Sequence, residues 1–387
     1  MDSVQKTIEM NKIISFIRET YKTPEDFIPL HEPRFIGNEK KYVLETIEST
    51  FVSSVGKYVD QFEQMMKEYT GVKYAIAVVN GTAALHMALM LVGVKKNELV
   101  ITQALSFIAT CNAISYIGAE PLFIDVDPNR LGMSASALEA LLLDVELIDN
   151  VAIHKPSGKK ISACVPMHTF GHPVEIDRII NLCDAYNIPV VEDAAESLGS
   201  SFKGKQTGTF GLIGTYSFNG NKTITCGGGG IIVTDNDELG KMAKHLTTQA
   251  KVPHRWEYVH DHIGYNYRCP NLNSALACAQ LEQLNNFIEN KRLTANNYKD
   301  FFKNTGITFV EEPADSKSNY WLNAILLPSF EERNKFLLET NDAGVMTRPI
   351  WALMHRLEMF KDCYHDGLKN SIDIEKRLVN IPSSVIV

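Results

Sequence analysis

Residues 74–94 read "YAIAVVNGTAALHMALMLVGV", an unbroken apolar run that passes through Asn-Gly-Thr into a second, longer apolar stretch. "YAIAVV" has the length and pattern of a buried strand, and the stretch opened by glycine and threonine suits a helix. The alternation continues outward. "ELVITQ" (98–103) predicts a strand, "SFIATCNAISYIG" (106–118) a helix and "EPLFIDV" (120–126) a strand. "ISACVPMH" (161–168), "EIDRIINLCDAYN" (175–187), "IPVVEDA" (188–194), "IGTYSF" (213–218) and "GIIVTD" (230–235) extend it to about seven strands. Continuous apolar strands alternating with helices predict an α/β fold whose mostly parallel sheet is covered on both faces. Ligands of such sheets bind at the strand ends.

Upstream, residues 1–35 hold a short helix and the irregular strip "TPEDFIPLHEPRF". "GNEKKYVLETIEST" and "KYVDQFEQMMKEYTG" come next with apolar residues at helical spacing, Gly71 ending the second. Downstream, residues 269–306 form one long helical region that precedes "YWLNAILLPSF", "EERNKFLLETNDAG" and "VMTRPIW". The expected organisation is a large domain over 36–270 and a smaller C-terminal α+β domain over 271–387 that includes the linking helix. Residues 1–35 join the two.

The chain has 387 residues and a formal charge of -8, with no basic stripe, which argues against general nucleic-acid binding. Its seven cysteines (111, 164, 183, 226, 269, 278 and 363) form no CxxC pair, which disfavours a zinc site or a disulfide framework and fits a reducing compartment. The histidines show no HExxH or other tight ligand spacing, so no metal is expected. The first twenty residues lack an apolar run of signal-peptide length, and no stretch reaches the roughly 18 apolar residues of a membrane span. The expectation is a cytoplasmic protein.

Three strand-end loops carry chemistry. In "NGTAAL" (80–85), the backbone N–H groups of a helix start and the Thr82 hydroxyl form an anion site; Thr82 as a plain helix cap is the alternative. In "VVEDAAES" (190–197), two carboxylates end an apolar strand, and Glu196 lies three residues beyond Asp193; Asp193 as a plain cap of the following turn is the alternative. In "YSFNGNKTITCGGGGIIVTD" (216–235), Lys222 sits between a strand ending in Ser217 and four glycines; a solvated loop lysine is the alternative. Taken jointly, an anion site, a strand-end carboxylate and a lysine beside closely approaching backbone match the needs of pyridoxal phosphate. Its phosphate needs donors, its aldehyde an amine, and its ring nitrogen an acid partner.

The chain resembles the DegT/StrS class of pyridoxal-phosphate-dependent sugar aminotransferases along nearly its whole length. The resemblance rests on "NGTAALHMAL", "ALSFIAT", "EPLFIDVD", "MHTFGHP", "VVEDAAESLGS", "GTFGLIGTYSFNGNK", "GGIIVTD" and "GYNYRCPNLNSALACAQLEQL", in that order. It implies the fold-type I aminotransferase architecture, a large domain with a mostly parallel seven-stranded sheet, and a homodimer with composite active sites. It also implies that Lys222 is the Schiff-base lysine and Asp193 the partner of the pyridine nitrogen. Gly81, Thr82 and Ser217 match the phosphate cradle, Phe107 an aromatic stacked on the ring, and Glu196 a position near the ring hydroxyl. Asn266 of "GYNYR" matches an asparagine that reaches the phosphate of the neighbouring subunit.

One position departs from the family: many members carry a glutamate where this chain has Gly228. Within the class, "NGNKTIT", "LLPSF" and "TRPIWALMH" resemble aminotransferases of bacterial surface-sugar pathways. These are enzymes that make UDP-linked 4-amino-6-deoxy sugars for bacillosamine and legionaminic acid, or that install the 8-amino group of an octulosonate. The implied reaction takes an amino group from glutamate to a keto sugar. A sugar dehydratase on the same fold replaces the lysine with histidine, and Lys222 argues against it. A non-catalytic, cofactor-binding regulator is the other alternative.

Overall fold

A computed structural model describes residues 2–303 and 305–387. Seven strands lie side by side: β1 (Tyr74–Val78), β2 (Leu99–Gln103), β3 (Glu120–Ile124), β4 (Lys159–Val165), β5 (Val191–Asp193), β6 (Ile213–Ser217) and β7 (Gly230–Thr234). Their spatial order is β1-β7-β6-β5-β4-β2-β3, the join between β5 and β4 being made by the parallel bridges Cys164–Val190 and Met167–Asp193. Only β7 runs against its neighbours. The α/β fold with a mostly parallel sheet is the one expected from the sequence.

The apolar runs have their cause in two-sided burial. In β1, Ala75 and Ala77 face a core that also holds Phe62, Phe218, Leu284 and Phe287, while Ile76 and Val78 face the core of Leu85, Met87 and Val100. Successive strand residues point to opposite faces, so a strand covered on both sides has no polar position left. The helix Lys57–Thr70 packs on the first face, and both it and the helix Glu39–Glu48 pack against the long helix Asn271–Phe302.

That helix spans 32 residues, and its far half leaves the large sheet. Ala295, Tyr298 and Phe302 pack with Ile13 and Ile17 of the first helix and with a small antiparallel sheet. This second sheet has the order Thr308–Phe309, Asn323–Leu326, Leu378–Ile381, Arg348–Pro349. The N-terminal strip is tied to it through Ile28, whose N–H donates to the Gly344 carbonyl at 2.9 Å. Two features differ from the sequence reading. A hairpin, Val145–Ile148 with Val151–His154, turns through Asp149 and Asn150, both at positive φ, and pairs with the start of β4. The last strand of the small sheet, Leu378–Ile381, comes directly after the helix Lys369–Arg377. Among the described residues no helix is long and apolar enough to cross a membrane.

Candidate active site

The C-terminal ends of β1, β5 and β6 open on one cavity of about 300 Å³, bordered by Gly81, Thr82, Phe107, Asp193, Glu196, Ser217 and Lys222. The structure thus gathers seven of the eight residues singled out in the sequence. Asn266 is not among them. It lies exposed outside the cavity of its own chain, where Oδ1 accepts from Nε and Nη2 of Arg268, both at 3.1 Å.

The helix Gly81–Leu91 begins directly at the cavity. Its cap is Asn80, whose Oδ1 accepts from the Ala83 N–H at 2.8 Å, so the cap reading of Thr82 is corrected. Thr82 is left in the first turn, where backbone N–H groups have no acceptor within the helix. Its hydroxyl makes no hydrogen bond among the described residues. Gly81 is required by proximity: a Cβ there would stand 2.8 Å from Cβ of Ser217. The helix start and the end of β6 therefore meet closely enough to present N–H groups and two hydroxyls to one anion.

Of the two strand-end carboxylates, only one faces this space. Glu192 points the other way and is locked: His168 Nε2 lies 3.0 Å from Oε2, and the N–H groups of Gly208, Phe210 and Gly211 donate to the same carboxylate. Asp193, next in the strand, turns to the cavity, where Oδ2 accepts from Thr110 Oγ1 at 2.7 Å and Oδ1 from the Ala195 N–H at 3.1 Å. Burial raises the Asp193 carboxyl, against the opposing pull of Thr110, the Ala195 N–H and Lys222.

Lys222 comes after a turn in which its own N–H donates to the Asn219 carbonyl at 3.0 Å. Its side chain is 12% exposed, with Nζ 3.4 Å from Glu196 Oε1 and 4.0 Å from the centroid of a Trp321 ring. Glu196 is held on its other oxygen by the Phe170 N–H at 2.9 Å, and burial pushes its carboxyl up to about 7. The glycine run has a steric cause at its end, because a Cβ at Gly230 would stand 2.5 Å from the Asn80 carbonyl carbon. At Gly228 the nearest atom to such a Cβ is 3.7 Å away, so the family's frequent glutamate is not barred by backbone crowding.

The aromatic side of the cavity goes beyond the sequence reading. Phe107, half-exposed, packs edge-on against Trp351 at 6.0 Å between centroids, and Trp351 and Trp321 both border the space. The chain has three tryptophans, and two of them stand here. Thr110 is a further residue that the sequence reading did not single out, although it lies in "SFIAT" three residues after Phe107.

These donors suit pyridoxal phosphate. A helix start and two hydroxyls offer an anion site, a buried carboxyl and an exposed phenyl ring border the same space, and an amine reaches it. Away from the cavity, folding brings together ligating atoms that the sequence spacing kept apart. Those of His245, Asp261 and His262 lie within 4.8 Å of one another, both rings bonded to Asp261 Oδ1, at 2.6 and 2.9 Å.

Comparison with known proteins identifies the family of the chain. The model of the DegT/DnrJ/EryC1/StrS aminotransferase family matches residues 33–386. The chain is 39% identical over 359 residues to a GDP-perosamine synthase of Escherichia coli O157:H7, covering 92% of this chain and 93% of that protein. It is 33% identical over 332 residues to the UDP-4-amino-4,6-dideoxy-N-acetyl-beta-L-altrosamine transaminase of Campylobacter jejuni, covering 84% and 85%. Among solved structures, a DegT DnrJ EryC1 StrS aminotransferase from Brucella abortus superposes with a TM-score of 0.82 at 26% identity, over 89% of this chain and 90% of that one.

Proposed function

The chain belongs to the DegT/DnrJ/EryC1/StrS aminotransferase family and is a pyridoxal-phosphate-dependent sugar aminotransferase of nucleotide-sugar biosynthesis; from that premise we propose that it moves an amino group from glutamate to a nucleotide-linked 4-keto-6-deoxy sugar. The nucleotide-linked class is favoured over an 8-oxo-octulosonate because the names of both relatives above carry a nucleotide diphosphate. The observation that carries the reading is the convergence of Lys222, Asp193, Thr82 and Phe107 on one cavity.

Pyridoxal phosphate, when bound, supplies an aldehyde for an amine and a ring that takes up the electrons released with the donor's α-proton. The rest falls to the protein. Gly81, Thr82 and Ser217 bind the phosphate through N–H and hydroxyl groups. Asp193, oriented by Thr110, holds the proton at the ring nitrogen. Phe107, which borders the cavity, would shield the cofactor ring from water. Lys222 would tether the cofactor through its amine and, when free, would carry the proton as general acid and base. Glu196 stands beside that amine and accepts or returns a proton at Oε1.

We further infer a homodimer in the cytoplasm. Phe35, Ile36, Ile47, Phe51 and Val55 are exposed on one stretch of chain, as an apolar contact surface would be. All seven cysteines are unpaired, which supports a reducing compartment.

The test has two parts. Borohydride reduction of the yellow protein followed by peptide mapping should find the pyridoxyl group on Lys222, and Lys222→Ala should abolish turnover; the label on another lysine removes the assignment. Glutamate should bleach the visible absorbance, and a panel of GDP- and UDP-4-keto sugars with 8-oxo-octulosonate, read by mass spectrometry, should give an aminated nucleotide sugar. A protein that binds the cofactor without bleaching would be the non-catalytic regulator.

A further inference from the structure

Nothing in the tether chemistry says where the lysine rests once it is displaced. A free lysine side chain carries about 2 kcal/mol of rotamer entropy, and it must return to the same atom in the second half of the reaction. The Lys222 amine lies over the Trp321 indole, with Nζ 4.0 Å from the ring centroid.

Trp321 comes from the chain beyond the long helix, and a set of hydrogen bonds fixes it. Its Nε1–H donates to the carbonyl of Asn221, the residue before the lysine, at 2.6 Å. Its own N–H donates to Asn319 Oδ1 at 2.8 Å. Asn319 Nδ2 in turn donates to the carbonyls of Glu196 and Leu198, both at 2.9 Å, and lies 3.3 Å from Thr223 Oγ1, on the residue after the lysine. The indole is therefore held by both sides of the lysine loop and by the turn that carries Glu196. It is 4% exposed, with the Phe170 ring 6.3 Å from it. An ammonium attracted to an aromatic face prefers indole over the other rings, and the attraction grows when water is excluded.

We propose that Trp321 is the positioning residue for Lys222: its indole face holds the displaced lysine beside Glu196 and at the cavity. The inference rests on Lys222 being the tether. Phenylalanine at 321 keeps an aromatic face of weaker attraction and loses the Nε1–H bond and part of the indole's packing, whereas leucine removes the face.

The experiment compares Trp321→Phe and Trp321→Leu with the unmodified protein. The first readout is the rate at which each apo-protein captures added pyridoxal phosphate covalently, with release of one water, monitored by absorbance. The second is single turnover of the loaded protein with glutamate. Trp321→Leu should slow both about tenfold, within the range of a desolvated cation–aromatic contact, with the glutamate KM unchanged. Trp321→Phe should restore both to within about threefold. A third readout does not depend on those variants folding: Lys222→Met removes the charge from the indole face and should shift the tryptophan emission of the apo-protein. Capture at Lys222 by Trp321→Leu at the unmodified rate overturns the proposal and leaves the tether assignment standing. So does a phenylalanine variant as slow as leucine, or an emission unmoved by Lys222→Met. A pyridoxyl label on a different lysine overturns both.

Discussion

The amine of Lys222 stands 3.4 Å from Oε1 of Glu196, a carboxyl that is 2% exposed and that burial lifts from 4.5 to about 7. The folded apo-protein therefore keeps a proton that the unfolded chain has already lost. Between about 4.5 and about 7 the folded state binds more protons, so stability falls as pH rises through that window, by roughly 3 kcal/mol at most. Glu196→Gln, which imitates the protonated form, should remove this component. Thermal melting of both apo-proteins across the window checks it: the variant should gain on the unmodified protein with every step up in pH. Parallel curves would mean that Glu196 is ionised throughout.

Asp193 and Thr110 make a second pair with a measurable consequence. Asp193→Asn keeps the shape of the side chain and loses the charge that holds a proton on the ring nitrogen, so the variant should still bind cofactor and lose most of its single-turnover rate with glutamate. Thr110→Val keeps the Asp193 charge and removes the 2.7 Å bond to Oδ2, together with the 3.2 Å bond that the Thr110 hydroxyl accepts from Ser106 Oγ. A hydrogen bond to a charged group contributes about 1.5–3 kcal/mol, so this variant should fall between the two, slower by about tenfold or somewhat more. Stopped-flow absorbance decides. An Asp193→Asn rate equal to that of the unmodified protein would end the assignment.

Gly81→Ala tests the phosphate cradle. The added methyl would meet Ser217 Cβ at 2.8 Å, and relieving that contact pushes the helix start away from β6. Overpacking of this kind costs about 1–3 kcal/mol. The loss should appear as at least a tenfold weaker affinity for pyridoxal phosphate, read by absorbance titration of the apo-protein, with the sheet intact by circular dichroism. Unchanged affinity would place the phosphate elsewhere.

How far the sequence could reveal this site depended on the range of the forces involved. The large sheet was legible because burial on both faces makes strands such as "YAIAVV" and "GIIVTD" apolar throughout. The strand Val145–Ile148 was not, because three of its four residues are exposed and the apolar signal disappears. Asp193 and Thr82 could be found since one ends a legible strand and the other begins a legible helix, and Lys222 since it lies between a legible strand and the glycine run. The strand period could also have told Glu192 from Asp193, as neighbours in a strand face opposite sides. Trp321 carried no such local sign. It meets the carbonyl of a residue 100 positions earlier, and only the packing of the long helix and of the C-terminal chain beyond it brings the two together.

Asn266 gives the most demanding test, because its own chain does not use it at the cavity. It sits exposed beside Arg268 and pairs backbone to backbone with Thr248. The segment before it leaves the body through Gln249 and Ala250, both at positive φ, and exposes Trp256, Tyr258, Val259 and Ile263. An arm that turns apolar side chains to solvent in one chain suits a two-fold contact that buries them in another. Two inactive homodimers then serve as the test: Lys222→Ala, and Asn266→Asp, which sets a carboxylate against the phosphate. If Asn266 completes the partner's cradle, a mixed dimer concentrates both defects in one site and leaves the other intact. Subunit exchange should restore activity, up to one working site per mixed dimer. If native mass spectrometry shows the mixed dimers formed and activity stays at the level of the parents, Asn266 does not serve the neighbouring site.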